Sequence, residues 1–159
     1  MMPAIDHIGL TVADLDRAIE FWCGRLGLRL LHRATETDPD IAALLGEDSA
    51  ELEIADLDAG DGRIIELIEY TRPAGRPVRA RSSDPGSSHV ALRVDDLDAA
   101  LKRLEGSQAR QISRRPVLLH DPGGAWDGVT CCYFADPDGI IVELVQRPQP
   151  NRRDHDDAV

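Results

Sequence analysis

Near the start of the chain Ile8, Leu10 and Val12 alternate with His7, Gly9 and Thr11, and this period of two predicts a half-buried strand. The period then changes. Leu15, Ala18, Ile19, Trp22 and Leu26 follow the i, i+3, i+4, i+7 spacing of an amphipathic helix, and Gly27 supplies its C-cap. Three further strands are expected over about 28–34, 50–57 and 63–70. The same order then returns. Val90, Leu92 and Val94 mark a strand, and Leu97, Ala100, Leu101 and Leu104 a helix. Strands follow near 109–119, 127–135 and 140–147. Asp136-Pro-Asp-Gly139 carries Pro and Gly where a type I turn places them, so it links the last two strands as a hairpin.

The two runs are copies of each other. Asp6-His-Ile-Gly-Leu-Thr-Val-Ala-Asp-Leu-Asp-Arg-Ala-Ile19 and Ser88-His-Val-Ala-Leu-Arg-Val-Asp-Asp-Leu-Asp-Ala-Ala-Leu101 agree at seven of 14 positions, at an offset of 82. Chance would supply roughly one match. Ile64-Ile-Glu-Leu-Ile68 and Ile141-Val-Glu-Leu-Val145 agree in pattern at an offset of 77. Half of a 159-residue chain is too short to bury much of a core alone, so the two halves must share one. The expected fold is α+β, with two tandem βαβββ modules. Module one covers about 4–70, a Pro-, Arg-, Gly- and Ser-rich linker 71–87, and module two about 88–147, within one domain of 1–150. The polar, aperiodic stretch 151–159 reads as a disordered tail.

Charge and cysteines narrow the function classes. Eighteen basic against 29 acidic residues give a net charge of −11. The arginines within 72–81 are broken up by proline, glycine and serine, so no basic patch is expected to bind nucleic acid. No apolar run has the length of a membrane span, and the start lacks the basic and apolar regions of a secretory signal. Cys23, Cys131 and Cys132 are odd in number and two are adjacent, a poor disulfide framework. Free thiols in a reducing cytoplasm are expected.

Strand parity brings out the chemistry. If Ile8, Leu10 and Val12 face the helix, His7 faces away from it, and His89 does the same in the second copy. In the last strand of each copy Ile65 and Leu67, or Val142 and Leu144, face the helix, so Glu66 and Glu143 share the face of the histidines. Joining the copies about a pseudo-twofold axis would bring His7, Glu66, His89 and Glu143 together. Two imidazoles and two carboxylates suit one divalent ion, Zn, Ni, Co, Mn or Fe. An octahedral ion would keep open positions, as a catalytic site requires.

These residues resemble the vicinal oxygen chelate superfamily, also called the glyoxalase/bleomycin resistance/dioxygenase fold. His7-Ile-Gly-Leu-Thr-Val-Ala-Asp-Leu-Asp16 with Ala18-Ile-Glu-Phe-Trp22 is similar to its opening module, and Phe134-Ala-Asp-Pro-Asp-Gly-Ile-Ile-Val-Glu-Leu144 to its closing strands. The resemblance covers about 4–147 and implies that the two βαβββ modules form a curved mixed sheet around a metal-binding cavity with the four ligands above. In ligand set it is closest to bacterial glyoxalase I and methylmalonyl-CoA epimerase. It thus implies a metal-dependent lyase or isomerase that moves a proton next to a carbonyl of a small substrate, in a homodimer. Glyoxalase I follows its glutamate with Thr-x-Asn-Trp-Gly, whereas here the run is Leu67-Ile-Glu-Tyr-Thr-Arg-Pro73. Glu66 or Glu143 would serve as base. A second base, as in the epimerases, falls to Glu51 or Glu53, on the expectation that Leu52 and Ile54 face the helix. The competing readings are a protein that sequesters an antibiotic or natural product, and an Fe(II) ring-cleaving dioxygenase.

Overall fold

The computed structural model describes residues 2–60 and 62–149. Module one begins with β1 (His7–Val12) and α1 (Leu15–Ile19), the latter continued without a break by a π-helical stretch over Glu20–Arg25. It goes on through β2 (Arg29–Glu36), α2 (Pro39–Leu45), β3 (Glu51–Asp58) and β4 (Ile64–Arg72). Module two is β5 (His89–Arg93), α3 (Leu97–Leu104), β6 (Arg110–Gln111), β7 (Val117–Leu118), β8 (Thr130–Ala135) and β9 (Ile141–Gln146). The strand orders are β1-β4-β3-β2 and β5-β9-β8-β6, with β7 also paired to β8. In each sheet the first strand lies parallel to the last and the other pairs are antiparallel. The expected α+β architecture of two modules is therefore the one the chain adopts. The sheets are separate: within the described residues no strand of one pairs with a strand of the other, so a single chain does not close the one continuous curved sheet that was expected.

Two local departures have local causes. The helix α2 was not expected, yet its signals are in the sequence. Asp38 caps it by accepting the Asp40 amide at 2.8 Å, Pro39 opens its first turn, and Gly46 closes it at a φ of +72°. The strand expected over 109–119 is two short pieces on the same partner. Between them the amides of Ile112 and Ser113 both donate to the Tyr133 carbonyl, and Pro116 has no amide to offer. The expected tail at 151–159 lies outside the described residues.

The duplication repeats down to single hydrogen bonds. Asp14 caps α1 by accepting the Arg17 amide at 2.9 Å, and Asp96, 82 residues on, caps α3 by accepting the Ala99 amide at 2.8 Å. The last strand of each module adds a second acceptor. The Leu15 amide donates to Glu69 at 2.7 Å and the Leu97 amide to Gln146 at 2.6 Å, so each helix start is tied to its own sheet.

The helix faces of both sheets meet in one core. Val12, Leu15, Trp22, Ala55, Leu57 and Leu67 from module one pack with Leu97, Ala100, Phe134, Val142 and Leu144 from module two. Phe21 meets Phe134 edge-on at 6.2 Å. Around this core the modules bond across the seam. Arg25 donates to the Arg103 carbonyl at 3.3 Å while Arg103 donates to the Arg25 carbonyl at 3.2 Å, and Arg17 pairs with Asp138. The buried Trp22 indole donates to Asp136 at 3.1 Å. The same carboxylate accepts the amides of Asp138 and Ile140 at 2.9 and 2.8 Å, holding the hairpin turn, while burial pushes its pKa up. Asp136→Ala leaves three donors at the seam without an acceptor. The expected cost is about 2–4 kcal/mol in urea unfolding, and a loss below about 1 kcal/mol would show that Asp136 does not hold the modules together.

Candidate metal centre

Parallel pairing of β1 with β4 sets Gly9 directly opposite Glu66, and His7 lies two residues back on the same face. His7 Nε2 stands 3.7 Å from Glu66 Oε2. A glycine at position 9 leaves this space open: a Cβ there would meet Glu66 Oε2 at 3.8 Å. In module two Ala91 lies opposite Glu143, and His89 Nε2 is 3.4 Å from Glu143 Oε2. Both distances are too long for a good N–H···O hydrogen bond. They leave each His–carboxylate pair free to offer both donor atoms to an ion, and imidazole and carboxylate are a fitting donor set for a divalent one. Each pair thus fits as half of a metal site.

The two histidines are supported differently. His7 Nδ1 lies 2.9 Å from the Asp6 carboxylate, which turns Nε2 toward Glu66. Asp6 first, and then Glu66, raise the His7 pKa above its ordinary value. His89 instead has the Tyr133 ring edge-on at 5.2 Å, with the phenol oxygen 3.4 Å from Nε2. Glu143 is buried and also faces Cys131. Burial, reinforced by that carboxylate, pushes the Cys131 thiol up to about 11.

Within one chain the pairs remain apart. Among the described residues no group of three or more His, Cys, Asp or Glu side chains is placed to hold a metal. Because the helix faces share the core, the ligand-bearing faces turn outward. A cavity of about 590 Å³ runs along β1 from Gly9 to Ala13, beneath residues such as Arg76 and Val78 and beside the hairpin at Gly139, and neither His7 nor Glu66 lines it.

Residues 4–144 match the model of the Glyoxalase/Bleomycin resistance protein/Dioxygenase superfamily. The chain belongs to this superfamily. It is 33% identical over 148 residues to a 2-epi-5-epi-valiolone epimerase from an Actinomyces species, covering 91% of this chain and 80% of the relative. It is 30% identical over 141 residues to the lactoylglutathione lyase of Haemophilus influenzae, covering 88% and 90%. The crystal structure of a glyoxalase family protein from Bacillus cereus superposes with a TM-score of 0.79 at 25% identity, covering 92% of this chain and 95% of that one. No helix among the described residues is long and apolar enough to cross a membrane.

The register of β3 corrects the choice of second base. Ala55 and Leu57 pair with Leu67 and Ile65 on the core side, and Glu53 pairs with Glu69 on that same side. Glu53 accepts the Thr35 hydroxyl at 2.7 Å and lies 3.9 Å from Arg33, which itself bonds to Asp16 on α1. Glu51 sits at a register shift and pairs with Arg72 at the strand end. Neither glutamate joins the ligand face. Leu52 and Ile54 occupy that face instead, opposite Tyr70 and Ile68.

The carboxylate that does lie beside Glu66 is Asp56, directly across the β3–β4 pair, with His32 next in the same row on β2. Asp56 was not singled out from the sequence, nor was Tyr133, which lies directly opposite Glu143. One signal would have found both: each stands ten residues before its module's glutamate, at the same offset of 77 that relates the glutamates. His120 is exposed in a loop away from either pair. Glu53→Gln is therefore expected to leave metal content unchanged in elemental analysis and to cost at most about 1 kcal/mol of stability. A loss of bound metal would return Glu53 to the site.

Proposed function

We propose that this protein is a metal-dependent isomerase of epimerase type that moves a proton next to the carbonyl of a small polyhydroxylated ketone, at a site completed by two copies of the chain. The observation that carries this reading is the pair of equivalent His–carboxylate couples, with donor atoms 3.7 and 3.4 Å apart, turned outward on separate sheets. The edges of β1 and β5 support the two-copy assembly. Among the described residues each of these strands pairs on one side only, β1 with β4 and β5 with β9, and each carries one histidine of the set. An unpaired edge is a template for another strand. Setting β1 of one copy against β5 of the next joins His7 and Glu66 to His89 and Glu143, and the twofold makes two such sites.

His7, Glu66, His89 and Glu143 would hold a divalent ion, which when bound would polarise a carbonyl and stabilise negative charge developing on its oxygen. The chain's own groups do the rest. Epimerisation beside a ketone needs a proton taken from one face of a carbon and one delivered to the other. Glu66 and Glu143 come from opposite walls, which suits one to remove the proton and the other to return it. The likeness to an epimerase over 91% of the chain favours this chemistry. The run after Glu66, Leu67-Ile-Glu-Tyr-Thr-Arg-Pro73, argues against a glutathione adduct as substrate.

Two measurements test the reading. Wild-type protein is expected to bind one equivalent of Ni²⁺, Zn²⁺, Co²⁺ or Mn²⁺ per chain. In D₂O it is expected to exchange the proton beside the ketone of 2-epi-5-epi-valiolone, followed by proton NMR, and His7→Ala and His89→Ala are each expected to abolish both. Refolding the two variants together should then restore activity to about a quarter of wild type, because half of the dimers are mixed and each mixed dimer holds one intact site. No recovery in verified mixed dimers would place all four ligands in one chain. A wild type that stays metal-free would leave ligand sequestration as the better reading, and turnover of the glutathione adduct alone would favour the lyase.

A further inference from the structure

The pseudo-twofold that equates Glu66 with Glu143 also equates their neighbours, and there the two halves differ. Asp56 lies directly across the sheet from Glu66, and Tyr133 directly across from Glu143. One wall therefore presents a carboxylate, which only accepts when ionised, and the other a phenol, which also donates. Asp56 is half-buried and takes no hydrogen bond or ion pair among the described residues, although its charge reaches His7. The Tyr133 hydroxyl approaches His89 Nε2 at 3.4 Å, the nitrogen that also faces Glu143. If Nε2 is given to an ion, the phenol stays beside the ion with Glu143, itself one of the ligands, as its remaining neighbour.

We propose that Tyr133 and Asp56 orient the ligand of this site, the phenol donating to a carbonyl oxygen and the carboxylate accepting from the neighbouring hydroxyl, so that the site takes neutral vicinal hydroxy-carbonyl compounds and rejects anionic ones. This rests on the four-ligand assembly proposed above. Selection follows from charge. A second carboxylate on the ligand would face Asp56 as well as the two ligand glutamates, whereas a hydroxyl offers Asp56 the proton it lacks. The polarity also fixes direction. A hydroxyketone entering the other way would set its carbonyl oxygen against Asp56 and leave both without a donor. Nothing in the ligand set itself makes this distinction, because His7 with Glu66 and His89 with Glu143 are alike.

The test uses the full-length protein loaded with Co²⁺, whose visible absorption reports ligand binding, titrated with dihydroxyacetone and separately with oxalate. Tyr133→Phe is expected to weaken both by about tenfold, the loss of one hydrogen bond. Asp56→Asn is expected to weaken dihydroxyacetone several-fold and to tighten oxalate by about tenfold, as a repelling charge is removed. Cobalt content by elemental analysis is expected to match wild type in both variants. Unchanged oxalate affinity in Asp56→Asn, or unchanged dihydroxyacetone affinity in Tyr133→Phe, would overturn the proposal and leave the metal site standing. Loss of cobalt from either variant would also overturn it, since that residue would then help to hold the metal. A wild type that takes up no cobalt would sink the four-ligand reading itself.

Discussion

The shared core at the back of both sheets decides where everything else can go. Trp22, Leu57, Phe134, Val142 and Leu144 bury the helix-bearing faces of the two modules against each other. A β-strand sends alternate side chains to opposite faces, so burying one face of β1, β4, β5 and β9 fixes the other face outward. His7, Glu66, His89 and Glu143 all lie on those outward faces. The packing that makes one stable unit of two small modules is thus the packing that keeps their ligand pairs apart. A module of this size could not bury enough surface alone to avoid that choice. In the assembly proposed above, the pairs meet by adding a second copy at the edges of β1 and β5.

The same alternation explains which parts of the site were legible in the sequence. In β1 the apolar residues fall cleanly on one parity, and the reading of His7 as outward-facing follows. In β4 and β9 apolar residues occupy both parities, and the one glutamate at equivalent places of the repeated runs marks the ligand face. In β3 apolar residues also occur on both parities: Leu52 and Ile54 on one, Ala55 and Leu57 on the other. The larger side chains suggested the wrong face. The register shift between Glu51 and Leu52 removes the continuity that would have corrected it, and a slip of one residue exchanges every side chain between faces. Asp56 and Glu53 changed places for this reason alone. The module order, the hairpin at Asp136 and the linker were readable because each rests on a local signal or on the repeat. The back-to-back packing was not, since pattern says which face is buried and never against what.

What the two halves have kept alike, and what they have let differ, separates support from selection. The caps at Asp14 and Asp96 and the ties from Glu69 and Gln146 hold equivalent helix starts, and the His–carboxylate pairs are equivalent too. These are the features any half-site of this fold needs, since they fix the strands and present the ligands. Ile64 and Ile141 lie alike opposite the two histidines, but other neighbours of the ligands differ. Asp6 faces Nδ1 of His7 where Ser88 precedes His89, Gly9 lies opposite Glu66 where Ala91 lies opposite Glu143, and Asp56 flanks Glu66 where Tyr133 flanks Glu143.

A symmetric cage around an ion is indifferent to which way a two-oxygen ligand enters. Removing a proton from one particular carbon requires that the carbonyl and its neighbour be told apart, and in a pseudo-symmetric site only the unlike neighbours can do that. The divergence therefore falls where chemistry on an unsymmetrical substrate needs it. A site that only gripped a metal, or a structural ion, would give the two halves no reason to part company at the residues beside the ligands while holding the ligands themselves constant. The direction of the difference carries a second consequence. With a carboxylate on the wall of His7 and a phenol on that of His89, the field across the site runs from negative to neutral. In the reaction proposed above, charge developing on the carbonyl oxygen would be favoured at the Tyr133 end and opposed at the Asp56 end, so the same two side chains would govern orientation and reaction.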